Sequence, residues 1–246
     1  MRVLVIGDTC IDEYVYCSTK RFCPDAPVPV LKPLYKVKSL GMAGNVSDNL
    51  KGLKIKTDII SNVENIKKVR YVDNRTNHMF IRVDQEGGDI EPLSWHTLDK
   101  IRFDNYDGVV VSDYNKGFVS NDQLEFIGSK INFSILDSKR ILTDEIANAF
   151  TFVKLNEPES FDNKDLTATN IITTLGSNGA KYKGEHFPVA EVDVRDTSGA
   201  GDSFVAGFVY SYLNECDVKS AIKFANECAT QVVQKKGTAK INVDEI

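Results

Sequence analysis

The sequence predicts an α/β protein: an open, mostly parallel sheet with helices on both faces and a small β lid. Three observations carry this. Short apolar runs bounded by turn residues recur at residues 3–6, 108–111, 134–136, 152–155 and 171–174, the pattern of strands buried on both faces. Helix-like stretches stand between some of them, at 44–52, 121–130, 203–213 and 218–235, and alternating strands and helices build parallel sheets. Residues 28–38 and 69–84 instead alternate apolar and polar side chains, as in Met79-Phe-Ile-Arg-Val83, which suits exposed antiparallel strands. A lid explains both stretches; ordinary edge strands fit the same alternation.

The chain has 246 residues, of which 42% are hydrophobic and 26% charged. That composition suits one large globular domain over 1–246, with lid strands from about 28–38 and 69–84. A net charge of −5 and a pI near 5.3 argue against general nucleic-acid affinity. The opening run Met1-Arg-Val-Leu-Val-Ile6 is too short for a signal sequence or a membrane span, which predicts a cytoplasmic protein with no membrane partner. Five cysteines without a C-x-x-C pair, and three histidines without metal spacing, speak against a disulfide framework or a zinc site.

Residues 196–202, Asp-Thr-Ser-Gly-Ala-Gly-Asp, are the most informative stretch. They read as a glycine-rich turn running into an apolar helix. Glycines let the backbone take positive φ and come close to a ligand. The helix start offers unpaired N–H groups and the positive end of its dipole, a site for phosphate oxygens. Asp202 would lie in the first turn beside that anion hole, kept ionised by the dipole and able to take a proton from an attacking hydroxyl. An acidic residue capping an ordinary helix start fits the same letters, and local chemistry does not choose between the two.

The seven residues resemble the D-T-x-G-A-G-D signature of the ribokinase (PfkB) carbohydrate kinase family. Further stretches resemble its heptose 7-phosphate kinase branch: Gly7-Asp-Thr-Cys-Ile-Asp-Glu-Tyr14, Cys23-Pro-Asp-Ala-Pro-Val-Pro-Val30, Gly41-Met-Ala-Gly-Asn-Val46, Val111-Ser-Asp-Tyr-Asn-Lys-Gly117, Phe224-Ala-Asn226 and Gly237-Thr238. They stand in the family's order along almost the whole chain. The resemblance implies the three-layer, Rossmann-like ribokinase fold and an ATP-dependent sugar kinase. It implies Asp202 as base, with Gly199, Ala200 and Gly201 as the anion hole. Asp12, Gly41 and Asn45 would hold the sugar. Asn156 and Glu159 match an N-x-x-E element that organises Mg2+, largely through water. Thr174, Gly176 and Gly179 would border the nucleotide, and Asn226 would lie near adenine. Lys139 could meet a phosphate, and Lys68 and Arg70 a sugar phosphate; solvated basic side chains fit these three as well. Relatives also imply a monovalent cation (K+) near the anion hole and a homodimer formed through the lid.

The chain departs from the family pattern twice. Met42 replaces the second glycine of a Gly-Gly pair, which predicts a reshaped sugar pocket. Only a few residues separate Ser61 from Val69, where a β/α segment of several tens of residues is usual. The resemblance runs to near the usual end of the kinase domain, which predicts a chain without the nucleotidyltransferase fused to some heptose enzymes. No G-x-x-x-x-G-K-[ST] or early G-x-G-x-x-G occurs, against a P-loop kinase or a dinucleotide-binding dehydrogenase. A nucleoside or other small-molecule kinase, and a catalytically weakened ligand-binding regulator, are the competing readings.

Overall fold

A computed structural model describes residues 1–63, 66–85, 90–237 and 239–245. Thr238 of the Gly237-Thr238 match lies outside the described residues.

The main sheet has eight strands. They are β1 (Arg2–Gly7), β4 (Lys56–Ser61), β7 (Gly108–Asp113), β8 (Ser134–Ser138), β9 (Phe152–Asn156), β10 (Ile171–Thr174), β11 (Ala180–Tyr182) and β12 (Glu185–Phe187). Their order is β12-β11-β10-β9-β8-β7-β1-β4, parallel except for the antiparallel β11 and β12. Apolar side chains on both faces of the central strands force this burial. Val3 and Val5 of β1 pack with helices α1 (Ala43–Gly52), α6 (Ala200–Glu215) and α7 (Val218–Val233). Leu4 and Ile6 point the other way, into a core shared with α2 (Trp95–Asp99), α3 (Asn121–Gly128) and α4 (Asp144–Ala149). All four are fully buried, each worth roughly 1.5–3 kcal/mol against exposure.

The lid is a second sheet of four strands, in the order β3-β2-β5-β6. It comprises β2 (Thr9–Phe22), β3 (Pro29–Met42), β5 (Ile66–Asp73) and β6 (Met79–Gln85). The stretches at 28–38 and 69–84 are therefore lid strands, not edges of the main sheet, and the second is a hairpin. The 14-residue β2 carried no sequence signal. Buried Asp12, Glu13 and Tyr14 break the alternation by which half-exposed strands are recognised.

β4 is the edge of the main sheet, and from Ser61 the chain passes directly toward β5 in the lid. That short passage is where the family pattern usually carries an additional β/α segment. No described helix is long and apolar enough to cross a membrane.

Candidate active site

The glycine turn delivers Asp202 to the carboxyl ends of the parallel strands. Gly199 adopts φ 82°, ψ 2° and caps α6, a left-handed conformation in which a side chain is strained. The helix thus begins at Ala200, three residues before the apolar run suggested, and Asp202 is its third residue. The amide of Ala200 turns back to the carbonyl of Thr197 at 3.3 Å. No described acceptor takes the amides of Gly199, Gly201 or Asp202, so these three N–H groups, rather than that of Ala200, remain open to an anion.

Asp202 is 4% exposed. Its Oδ2 accepts from Asn45 Nδ2 at 2.7 Å and its Oδ1 from the Tyr114 hydroxyl at 3.1 Å. Burial pushes its carboxyl up to about 6, against the bonds from Asn45 and Tyr114 and the charge of Lys154, which favour ionisation. Desolvation works against the ionised form that the helix dipole was expected to favour, and it is the largest cause of the rise. At pH 7, above that value, the carboxylate is still the main form. A base titrating just below neutrality suits proton abstraction.

Toward the lid, Asp12 and Arg70 form a buried ion pair, Arg70 Nη1 to Asp12 Oδ1. The Arg70 guanidinium also stands 5.1 Å over the Tyr14 ring. Asp12, expected to hold sugar hydroxyls, thus comes with a cationic partner. Its other oxygen lies where a Cβ on Gly41 would collide; the same Cβ would stand 2.6 Å from Cys10 Sγ. Gly41 is required for this close approach. Lys68, opposite Asp12 in the register, places its ammonium 5.2 Å from the Tyr114 ring centroid. Tyr14 ties the lid to the glycine turn through its hydroxyl, 3.0 Å from Asp196 Oδ2.

Met42 occupies φ 58°, ψ −134°, a region nearly reserved for glycine and costing about 1–3 kcal/mol for other residues. Its buried side chain packs with Cys10, Ile66, Ile90 and Tyr114. The methionine thus builds an apolar cluster between lid and main sheet. Burial pushes the Cys10 thiol there up to about 12, which makes it an inert wall.

On the other side, Asn156 and Glu159 form a reciprocal capping box at the start of α5 (Glu157–Asp162). Glu159 Oε2 accepts from the Asn156 amide at 2.7 Å, and Oε1 from Asn156 Nδ2 and Lys139 Nζ, each at 2.8 Å. Both oxygens are engaged, which suits a carboxylate acting on a hydrated ion rather than a direct ligand. Among the described residues no three His, Cys, Asp or Glu side chains converge on a metal position. Lys139 is therefore bound to Glu159 rather than free, and its ammonium also lies 4.9 Å from the Tyr114 ring.

Thr174, Gly176 and Gly179 sit at and beyond the end of β10. Gly179 approaches Phe187 and Pro188 closely. Buried Asn226 donates to the carbonyl of Phe187 at 2.9 Å. Phe187, Pro188, Val189, Ala190, Asn226 and Thr230 line part of a cavity of about 690 Å³, wide enough for a nucleobase.

Sequence reasoning missed three residues at this centre. Tyr114 lay in a quoted motif but was given no role, and Asp137, two residues before Lys139, was not singled out. Lys154, 5% exposed, pairs with Asp137 at 3.0 Å and lies against Gly201, 3.2 Å from where a Cβ would stand. Burial opposes its charge, but Asp137 and Glu159 outweigh that and raise its pKa. The signal was present: a lysine inside the buried run Phe152-Val-Lys-Leu155 must have a partner.

Residues 141–245 match the family described as pfkB family carbohydrate kinase. The whole chain aligns at 28% identity with a bifunctional protein HldE of Helicobacter pylori (strain HPAG1), and at 28% with its counterpart in Campylobacter jejuni (strain RM1221). It spans 65% and 64% of those relatives' lengths. The first alignment covers 307 positions, more than this chain has residues, so the relative carries segments that are missing here. A nucleoside kinase of Methanocaldococcus jannaschii, described as an archaeal member of the ribokinase family, superposes with a TM-score of 0.71 at 20% identity, covering 96% of this chain and 93% of its own. Phosphofructokinase-2 of Escherichia coli gives 0.71 at 14% identity, over 99% and 96%. The C-terminal match contains Asn156, Glu159, the glycine turn and Asp202, and the superpositions extend the ribokinase-type fold over almost the whole chain: residues 141–245 resemble the pfkB family carbohydrate kinases, and the architecture around them is the one those kinases share.

Proposed function

We propose that the chain transfers the γ-phosphoryl group of ATP to a hydroxyl of a sugar or sugar phosphate, with a heptose 7-phosphate-like sugar as acceptor. The observation that carries this is the buried Asp202 carboxylate, bonded by Asn45 and Tyr114 beside the open amides of Gly199 and Gly201. The acceptor enters between the lid and the glycine turn. Asp12 and Asn45 orient its hydroxyls, and Asp202 takes the proton of the attacking oxygen. The open amides and the Lys154 ammonium meet the negative charge that spreads over the transferring group. Magnesium, when bound, neutralises phosphate oxygens; Asn156 and Glu159 would hold it through water. The cavity at Asn226 accommodates the nucleobase. Lys68 and Arg70 on the lid favour an anionic acceptor, and the motif resemblance to heptose 7-phosphate kinases supports the same choice.

The exposed apolar residues Leu40, Ile81 and Val83 share the lid face opposite Asp12, and we propose that two chains pair through this face. A second reading, a ligand-binding protein weakened in catalysis, draws on one observation: Asp12 is already paired with Arg70, and a sugar must share that carboxylate.

The test is ADP release with Mg-ATP over a panel of sugars and sugar phosphates, with Asp202→Asn as control. Acceptor-dependent turnover lost in the variant is expected. Binding of a sugar phosphate without turnover would favour the second reading. Turnover unaffected by Asp202→Asn would remove Asp202 as base.

A further inference from the structure

Tyr114 reaches the one Asp202 oxygen that Asn45 leaves free, with its hydroxyl 3.1 Å from Oδ1. We propose that Tyr114 is a positioning residue of phosphoryl transfer, whose hydroxyl fixes the orientation of the Asp202 carboxylate and holds it in the charged form that accepts the proton. This rests on the reading of Asp202 as base.

The tyrosine is held in place from several directions. Its backbone amide donates to Asp8 Oδ2 at 2.8 Å, which ties the loop after β7 to the end of β1. The preceding Asp113 is buried and bonded to Ser138 Oγ at 2.7 Å and to Arg140 Nε at 2.6 Å. The ring sits within about 5 Å of two ammonium groups, Lys68 of the lid and Lys139 beside Glu159. Tyr114 therefore touches the acceptor side, the base and the nucleotide side at once.

A carboxylate offers about four acceptor positions on its two oxygens. One donor on each oxygen stops it rotating and leaves the remaining positions for the incoming hydroxyl. Burial and the neighbouring charge of Asp202 raise the pKa of the phenol well above its usual value, so the hydroxyl keeps its proton and remains a donor. The groups facing Asp202 are Asn45 of α1, Tyr114 after β7, Asp137 of β8 and Lys154 of β9. Cys10, Lys68 and Arg70 of the lid lie beyond. Asp137 and Lys154 act in opposite directions. Removing one neutral donor should therefore register as a shift of its own.

Tyr114→Phe removes the hydroxyl and keeps the ring between its two lysines. The readout is a carbon-13 NMR titration of the carboxyl groups, with Asp202→Asn identifying the resonance, beside the pH profile of kcat/KM. The wild-type group should titrate at about 6, and Tyr114→Phe should move it up by about one unit, with the acid limb of kcat/KM following. Incorporating 3-fluorotyrosine at position 114 makes the hydroxyl a stronger donor without altering the fold, and should move the titration the opposite way. An unchanged titration in both proteins, or an activity loss by the same factor at every pH, would assign Tyr114 to packing alone and overturn the proposal. If Asp202→Asn keeps its activity the base assignment fails, whereas the carboxyl shift still decides whether Tyr114 holds that side chain.

Discussion

Asp202→Asn replaces a buried carboxylate by an amide of the same shape, which keeps an acceptor oxygen for Asn45 while the Tyr114 hydroxyl can turn to meet the amide nitrogen. In the folded chain the carboxyl titrates at about 6 against an ordinary value of 3.8. A gap of about two units at 1.36 kcal/mol per unit is worth about 3 kcal/mol. The native state binds this proton more tightly than the unfolded chain does. The stability that the proton contributes is fully present below about pH 4 and lost as pH rises through about 6. Above pH 7 the wild type carries the whole cost of the buried charge, and the amide carries none. Asp202→Asn should therefore be more stable than wild type by about 3 kcal/mol at pH 8, with the advantage vanishing near pH 4. For a chain of this size that is a rise of roughly 6–12 °C in Tm. Thermal melts of both proteins from pH 4 to 8 measure it, beside the loss of turnover. A pH-independent difference, or a variant less stable at pH 8, would refute the account of Asp202 as a carboxylate whose burial outweighs its partners.

Other substitutions test other parts of the site. Lys154→Met strands Asp137 without its buried partner and should cost about 3–5 kcal/mol by urea denaturation, much of it restored by adding Asp137→Leu. At Met42 the positive φ reverses the usual ranking of small residues: Met42→Ala should be less stable than Met42→Gly by about 1–3 kcal/mol, since alanine keeps the strain and loses the packing. Lys68→Ala should raise KM for a phosphorylated acceptor more than for its unphosphorylated analogue, and equal effects would take Lys68 out of the acceptor site. A charge at Ile81 or Val83 on the lid should halve the molecular mass in analytical ultracentrifugation if the lid pairs two chains; an unchanged mass would dismiss that pairing.

Much of the main sheet was legible because its strands are buried on both faces, which writes them as unbroken apolar runs such as Val3–Ile6 and Val109–Val111. The lid was half legible. β3 and β6 alternate in sequence although both of their faces are largely exposed, apolar Leu40, Ile81 and Val83 included, whereas β2 carries buried charged and polar groups that only its surroundings justify. The glycine turn was readable from its letters, and it positions Asp202 as a backbone device should. Lys139, expected to meet a phosphate, is bonded to Glu159, and Asp12 is paired with Arg70 58 positions along the chain. Neither partner is a sequence neighbour, so spacing could not show it.

By itself, then, the sequence determined the alternation of strands and helices, the glycine turn that begins α6, and the residue type at each candidate catalytic position. These are local properties, set by backbone conformation and hydrophobic period. Tertiary structure alone decided the protonation of Asp202. That depends on how completely α1, the loop after β7 and the strand ends exclude water around it, and on Tyr114, Asp137 and Lys154 converging from three separate strand ends. Desolvation and Coulomb energy act through space, and their partners here lie 48 to 157 positions away in the chain.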